Sequence, residues 1–152
     1  RHEDGKFGDQ KYLDNWLEKY PHVHELQHLG GGLAPWNIQQ YSFTKNNNQL
    51  IGLDAASGNQ FKAVFYHFHQ LKLLGNTSVD LCRYQLSKQV IKYFYKPYIK
   101  ELLQLNKQFQ SNYPGMKNKG IQKIQFTWKS PLVWLKRKYR KEYHIYELKE
   151  FS

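Results

Sequence analysis

Between positions 91 and 109 the residues Ile91, Phe94, Tyr98, Leu102, Leu105 and Phe109 recur in steps of three and four, the period of one face of an α-helix. The stripe reads as a core-facing seam, and helix is expected from Lys88 onward. Pro97 falls inside it. A proline ring clashes with the carbonyl four residues back, so the spacing predicts a break near Tyr95 and a fresh helix with Pro97 in its first turn. Upstream the pattern is different. Ile38 to Phe43 reads as a strand, Lys45-Asn46-Asn47-Asn48 as a hairpin turn and Gln49 to Leu53 as the returning strand. A second turn at Ser57-Gly58-Asn59 leads into Phe61 to Phe68, an aromatic run suited to a buried strand that delivers His67 to a cleft edge. Strands followed by helix place the chain in the α/β (α+β) class.

The flanks carry most of the candidate chemistry. Asp9 stands where a helix should begin, because Tyr12, Leu13, Trp16, Leu17 and Tyr20 follow at helical spacing. Its carboxylate suits an N-cap. Asp9 and Gln10 at that helix start also offer an acceptor and an amide to a polyol, and the two roles are compatible. Pro21 stops the helix, and His22 to Gln27 alternates as a short strand. Gly30-Gly31-Gly32 then opens a loop, either a flexible turn or a backbone surface presented to a sugar or diphosphate. In the same loop Trp36 and Asn37 pair an indole, able to stack on a pyranose or to fill a core, with an amide able to bond hydroxyls. His22, His24 and His28 lack a cysteine or fourth ligand nearby, so they read as ordinary histidines and not as a zinc site.

A chain of 152 residues is close to the usual size of one domain. Its formal charge of +11 and aromatic content of 16% suit an anionic partner: nucleic acid, a lipid surface or a phosphate-bearing substrate. The single Cys82 forms no internal disulfide, which argues against a disulfide-built secreted module and suits a reducing compartment. No signal peptide or apolar run of membrane-spanning length is visible, and the absence of an initiator Met points to a fragment. Asp-x-Asp and Gly-rich phosphate-loop motifs are both missing from the sequence.

The order Gly5-Lys6-Phe7-Gly8-Asp9-Gln10-Lys11-Tyr12-Leu13-Asp14, then Gly31-Gly32-Leu33-Ala34-Pro35-Trp36-Asn37, then His67-Phe68 resembles the C-terminal half of a bacterial glycosyltransferase. It is more remotely similar to glycosyltransferase family 8. Lys11 stands where that family has an acid, Gln70 where it has glycine, and Lys72 comes one position early. The resemblance covers roughly residues 5 to 72.

It implies a GT-A-like fold, a mixed sheet with flanking helices. Residues 1–80 would form the C-terminal portion of a catalytic core, and residues 81–152 a helical, basic and aromatic region packed on it. It implies a metal-dependent transferase of surface-polysaccharide synthesis, moving a sugar from a nucleotide-sugar donor to a saccharide or lipid-linked acceptor. Asp9 and Gln10 would be catalytic. Gly31, Gly32, Trp36, Asn37 and Lys72 would bind substrate, and His67 would complete a Mn2+ or Mg2+ site whose carboxylates come from elsewhere. His69, two residues on and on the same strand face, is its rival. The fragment alone would be inactive, since the half with the Asp-x-Asp is absent.

Downstream, Ile121 to Trp128 could be a strand, and Ser130-Pro131 starts a helix through about Tyr143. Leu132, Leu135, Tyr139 and Tyr143 would form its apolar stripe, with Lys136, Arg137, Arg140 and Lys141 largely opposite. That face is either simply solvated or, together with Trp134, a contact for anionic headgroups. The expected location is cytoplasmic, with a peripheral place on the inner face of the plasma membrane. The competing reading is a stand-alone basic, aromatic module that binds nucleic acid or membrane. Nucleic acid is the less favoured partner, because the aromatics fall mainly on buried-looking stripes and no recognised nucleic-acid motif is present.

Overall fold

A computed structural model describes residues 13–116, 120–122, 127 and 129–151. They form a mixed α/β domain with two small sheets, one long helix and several shorter ones. The first sheet is antiparallel, with β1 (Tyr41–Asn46), β2 (Gln49–Asp54) and β3 (Gln60–Lys62) in sequence order. Asn47 and Asn48, at φ 43° and 64°, make the tight β1–β2 turn, the geometry for which asparagine is favoured when glycine is absent. Gly52 faces Phe61 across β2–β3. A Cβ there would fall on the Phe61 ring, so glycine lets that ring lie flat on the sheet.

The second sheet has the order β6 (Ile121–Gln122), β4 (Lys72–Leu74), β5 (Ser78–Asp80), β7 (Ile145–Glu147). Only β4–β6 is parallel. Its strands come from both sides of residue 80, and one apolar cluster, with Phe43, Tyr66, Val79, Tyr95 and Ile99 among its members, joins both sheets to the long helix.

That helix runs from α2 (Lys88–Val90) through a π-helical stretch (Ile91–Tyr95) into α3 (Lys96–Asn112). Ser87 caps its start, Oγ accepting from the Val90 amide at 3.2 Å. Pro97 does not interrupt it. The π-turn accommodates one extra residue just before the proline, which then occupies the first turn of α3, where its missing N–H costs least. The inserted residue moves the seam. Phe94 of the expected stripe is buried and Ile91 packs against the core, but beyond them Tyr95 and Ile99 are sealed in, whereas Tyr98, Leu105 and Phe109 are more than two-fifths exposed.

Other elements also differ from expectation. Around the first candidate helix α1 (Trp16–Lys19) is the α-helical part among the described residues, and it buries nothing. The expected strand from His22 to Gln27 does not form; all but Val23 are exposed, so the alternation has no apolar face to bury. Ile38–Gln40 is a 3-10 turn. The long strand to Phe68 stops as a ladder at Lys62, because beyond it the backbone finds other partners, described below. α4 (Ser130–Tyr139) forms with Pro131 in its first turn, but it is rotated from the orientation expected. Leu132, Leu135 and Tyr139 are exposed, and Arg137 is the residue it buries.

Candidate functional site

Past Lys62 the chain leaves β3 and pairs with the glycine loop. The amides of Val64 and Phe65 both donate to the Gly30 carbonyl at 3.0 Å, and the His67 amide donates to the Leu33 carbonyl at 2.8 Å. Leu33 and Tyr66 form a parallel bridge. Gly30 is required here, since a Cβ would meet the Lys62 carbonyl. His28 braces the turn, its Nδ1 accepting from the Gly30 amide at 3.1 Å. Leu33, Ala34 and Pro35 are buried and hold the loop down, so the next residue, Trp36, stands above the surface with half of its area exposed.

Trp36 meets both histidines of the neighbouring segment. Ring centroids lie 5.6 Å from His67 and 5.4 Å from His69. The two imidazoles are themselves stacked at 5.6 Å and 25°, because a tight turn at Phe68, in which the His69 amide donates to the His67 carbonyl at 2.8 Å, brings them together. Tyr84 closes the fourth side, 6.3 Å from Trp36 and 6.2 Å from His69. With Gly32 and Phe65 these groups line an open cleft of about 660 Å³, within the size range of small-ligand sites.

Tyr84 enters from a loop that gives no local signal in the sequence. Two long-range amides fix that loop. Gln70 Oε1 accepts from the Arg83 amide at 3.1 Å, and Gln39 Nε2 donates to the Gln85 carbonyl at 2.9 Å. Beneath it Tyr66 donates to the Tyr95 hydroxyl at 3.2 Å, and Tyr95 donates to Cys82 Sγ at 3.8 Å. Burial raises the pKa of all three groups, so each stays protonated as a donor.

Arg137 binds the same segment from α4. Its Nη1 donates to Asp80 Oδ2 at 2.9 Å, and its Nη2 to Asp80 Oδ1 at 2.7 Å and to the Cys82 carbonyl at 3.0 Å. The expected exposed cation is therefore a buried strut, drawn inward by the Asp80 carboxylate.

Of the other residues singled out in the sequence, Gly31 meets the Leu26 side chain and not the cleft. Asn37 is consumed within its own loop: Oδ1 accepts from the Ala34 amide and Nδ2 donates to the Gly32 carbonyl, both at 2.8 Å. It shapes the cleft without facing it. Lys72 opens β4 opposite Asp80, away from the residues that line the cleft. Asp9 and Gln10 lie outside the described residues. Trp134, Lys136, Arg140 and Lys141 are exposed along and just beyond α4, with Lys138 Nζ 4.2 Å from the centroid of a Trp134 ring. Among the described residues no three His, Cys, Asp or Glu side chains gather closely enough to hold a metal ion, and no helix is long and apolar enough to cross a membrane.

His144 sits behind the Tyr84 loop, its carbonyl accepting from the Leu81 amide at 3.0 Å. Neither imidazole nitrogen makes a well-formed hydrogen bond. Burial lowers its pKa, opposed by the nearby Tyr84 carbonyl and reinforced by the Arg137 charge. In the unfolded chain an imidazole protonates near pH ~6.5. Stability is therefore full above that value and falls as pH drops through it towards the lower folded pKa, because the unfolded chain then binds a proton that the folded chain refuses. Urea midpoints at pH 7.5 and 5.5 should show this fall, and His144→Leu should shrink it. An equal fall in both proteins would contradict the assignment.

The architecture is thus a small mixed α/β domain with an aromatic and imidazole cleft at the junction of a glycine loop and an extended segment. Its sequence is 29% identical over 119 residues to the uncharacterized protein YfnD of Bacillus subtilis, spanning 77% of this chain and 36% of YfnD. It is 31% identical over 71 residues to the uncharacterized protein YfnF of the same organism, spanning 47% of this chain and 22% of YfnF. The chain thus covers about a third or less of each relative's length. No family model matches the chain, and no solved structure matches it.

Proposed function

We propose that the chain is the acceptor-side, C-terminal part of a GT-A-like glycosyltransferase, which moves a sugar from a nucleotide-sugar donor to a saccharide or lipid-linked saccharide. The observation that carries this reading is the half-exposed indole of Trp36, framed by His67, His69 and Tyr84. A pyranose presents an apolar face of C–H groups and a rim of hydroxyls. An open aromatic ring surrounded by imidazoles and a phenol is complementary to both. The indole binds and orients the sugar ring, and the imidazole nitrogens and Tyr84 hydroxyl address its hydroxyls.

Mn2+ or Mg2+ would neutralise a leaving diphosphate, but such hard ions require several oxygen ligands. The cleft offers His67 and His69 and no carboxylate. These residues by themselves do not fit either ion. Asp9 and Gln10 remain candidates for contacts to the donor sugar. The exposed Leu132, Leu135 and Tyr139 beside the cations of α4 suit a lipid-linked acceptor at the inner membrane face.

The test is steady-state transfer by the full-length protein, with a panel of nucleotide sugars and saccharide acceptors. Trp36→Ala should raise KM for the acceptor about tenfold while leaving KM for the donor nearly unchanged, the loss expected when one stacked ring face is removed. Failure to release nucleoside diphosphate from any donor would sink the assignment.

A further inference from the structure

Helix residues Lys88, Lys92, Lys96 and Lys100 follow one another at intervals of four, and Glu101 is the single acid between Lys88 and Asn112. Like charges at that interval destabilise a helix by a few tenths of a kcal/mol per pair, roughly what an opposite pair would contribute. The row therefore carries a cost in the free protein. Lys92, Lys96 and Lys100 turn to one cavity of about 570 Å³, walled on its far side by Lys45 and Asn48 of the β1–β2 hairpin. All four lysines are exposed. None has a carboxylate within ion-pair distance among the described residues, and no acid lines the cavity. A second cavity of about 510 Å³ continues along α3 from Lys100 to Lys107. From Lys92 to Lys107 the groove follows the helix for about 20 Å at the α-helical rise.

We propose that this groove binds an extended phosphate-bearing chain, a phosphodiester-linked saccharide, with phosphoryl oxygens seated between Lys45 and the row Lys92, Lys96 and Lys100. Ammonium groups on flexible stems suit phosphates repeated along a chain, each acting as a point charge that follows its partner. Single-stranded nucleic acid would require flat rings beside the cations on which bases could stack. Among the described residues the groove has one aromatic ring, Tyr93, partly buried against the core and already met by Lys92 Nζ at 5.3 Å, and the exposed Trp36 lies in a different cavity. A phosphate chain without bases therefore fits better. The site is separate from the aromatic cleft; phosphate binding by the lysine row stands on its own, while the saccharide linking the phosphates rests on the sugar-transfer reading.

Calorimetric titration of the full chain with a phosphodiester-linked oligosaccharide tests it, beside a neutral oligosaccharide of equal length and an oligothymidylate of equal charge. The charged saccharide should bind at least about tenfold more tightly than the neutral one, which has only the aromatic cleft to occupy, and the oligothymidylate should bind at least several-fold more weakly than the charged saccharide. The triple variant K92Q/K96Q/K100Q should lose at least about tenfold in affinity, and its salt dependence should flatten by about 2 in log–log slope, on the order of 0.7 for each phosphate contact removed. K136Q/K138Q/K141Q, which lowers net charge equally on another surface, should bind as the wild type does. Retained affinity in the groove variant, equal loss in the control variant, or tighter binding of the oligothymidylate would overturn the proposal. Circular dichroism and melting temperature establish that the variants are folded; every substituted lysine is exposed.

Discussion

Arg137→Ala should cost about 3–5 kcal/mol of folding stability, because it leaves the Asp80 carboxylate buried without its partner. The pair is shielded, with side-chain exposures of 8% and 12%, and the guanidinium also closes on the Cys82 carbonyl. For a domain of this length each kcal/mol shifts the melting temperature by about 2–4 °C, so a fall on the order of 10 °C is expected by calorimetry. A double variant, Arg137→Met with Asp80→Leu, should recover much of that loss, since no charge is then stranded in the interior. A single variant within about 1 kcal/mol of wild type, the level of an exposed pair, would show that the bridge is not shielded in solution. The consequence reaches the cleft. The Asp80–Arg137 pair fixes the segment from which Tyr84 projects, so Arg137→Ala should also weaken saccharide binding by the native fraction.

Gly30→Ala should do comparable damage by a different route. The added methyl would overlap the Lys62 carbonyl, a backbone group held in β3 and unable to swing aside. Either the glycine loop or the strand must shift, and with it the Gly30 carbonyl that accepts from both Val64 and Phe65. Overpacking against fixed backbone costs about 1–3 kcal/mol, and sometimes more. The effect on ligand binding should exceed what that stability loss alone produces, because the same contacts set the separation of Trp36 from His67. Gly32→Ala is the control: a Cβ there meets nothing within 4 Å, and the variant should fold and melt as the wild type does. Equal stability of the two alanine variants would show that the loop is not pinned at Gly30.

How far the fold could be read from the residues depended on the range over which each decision is made. The β1–β2 hairpin was legible because Asn47 and Asn48 tolerate positive φ and set the register of the strands they join. Pro97 correctly marked the first turn of a helix. The break expected before it does not occur, because a π-turn absorbs the misfit without exposing the backbone. That turn also shifted the buried seam by one residue beyond Phe94, which is buried as expected, so the rest of the stripe was displaced to Tyr95 and Ile99. Strands β4, β5 and β7 are three residues each, too short for a period of two to be told from chance. Within the cleft, Trp36 and His67 were singled out by type. Tyr84 was invisible because the contacts that bring it there come from Gln70 and Gln39, 13 and 46 residues away from the groups they bind.

Local chemistry alone determined that this chain has a tight asparagine turn, a long helix with a row of lysines, and a loop where an indole follows three glycines and a proline. Those features follow from backbone preferences and spacing within a few residues. Which cations face outward was decided only by the tertiary structure. Lys136 and Arg137 are neighbours in sequence, yet one is solvated and the other is buried against Asp80. The difference arises because a buried carboxylate 57 positions away outweighs the tendency of an arginine to remain in water, a balance set by long-range packing and by no pattern within α4.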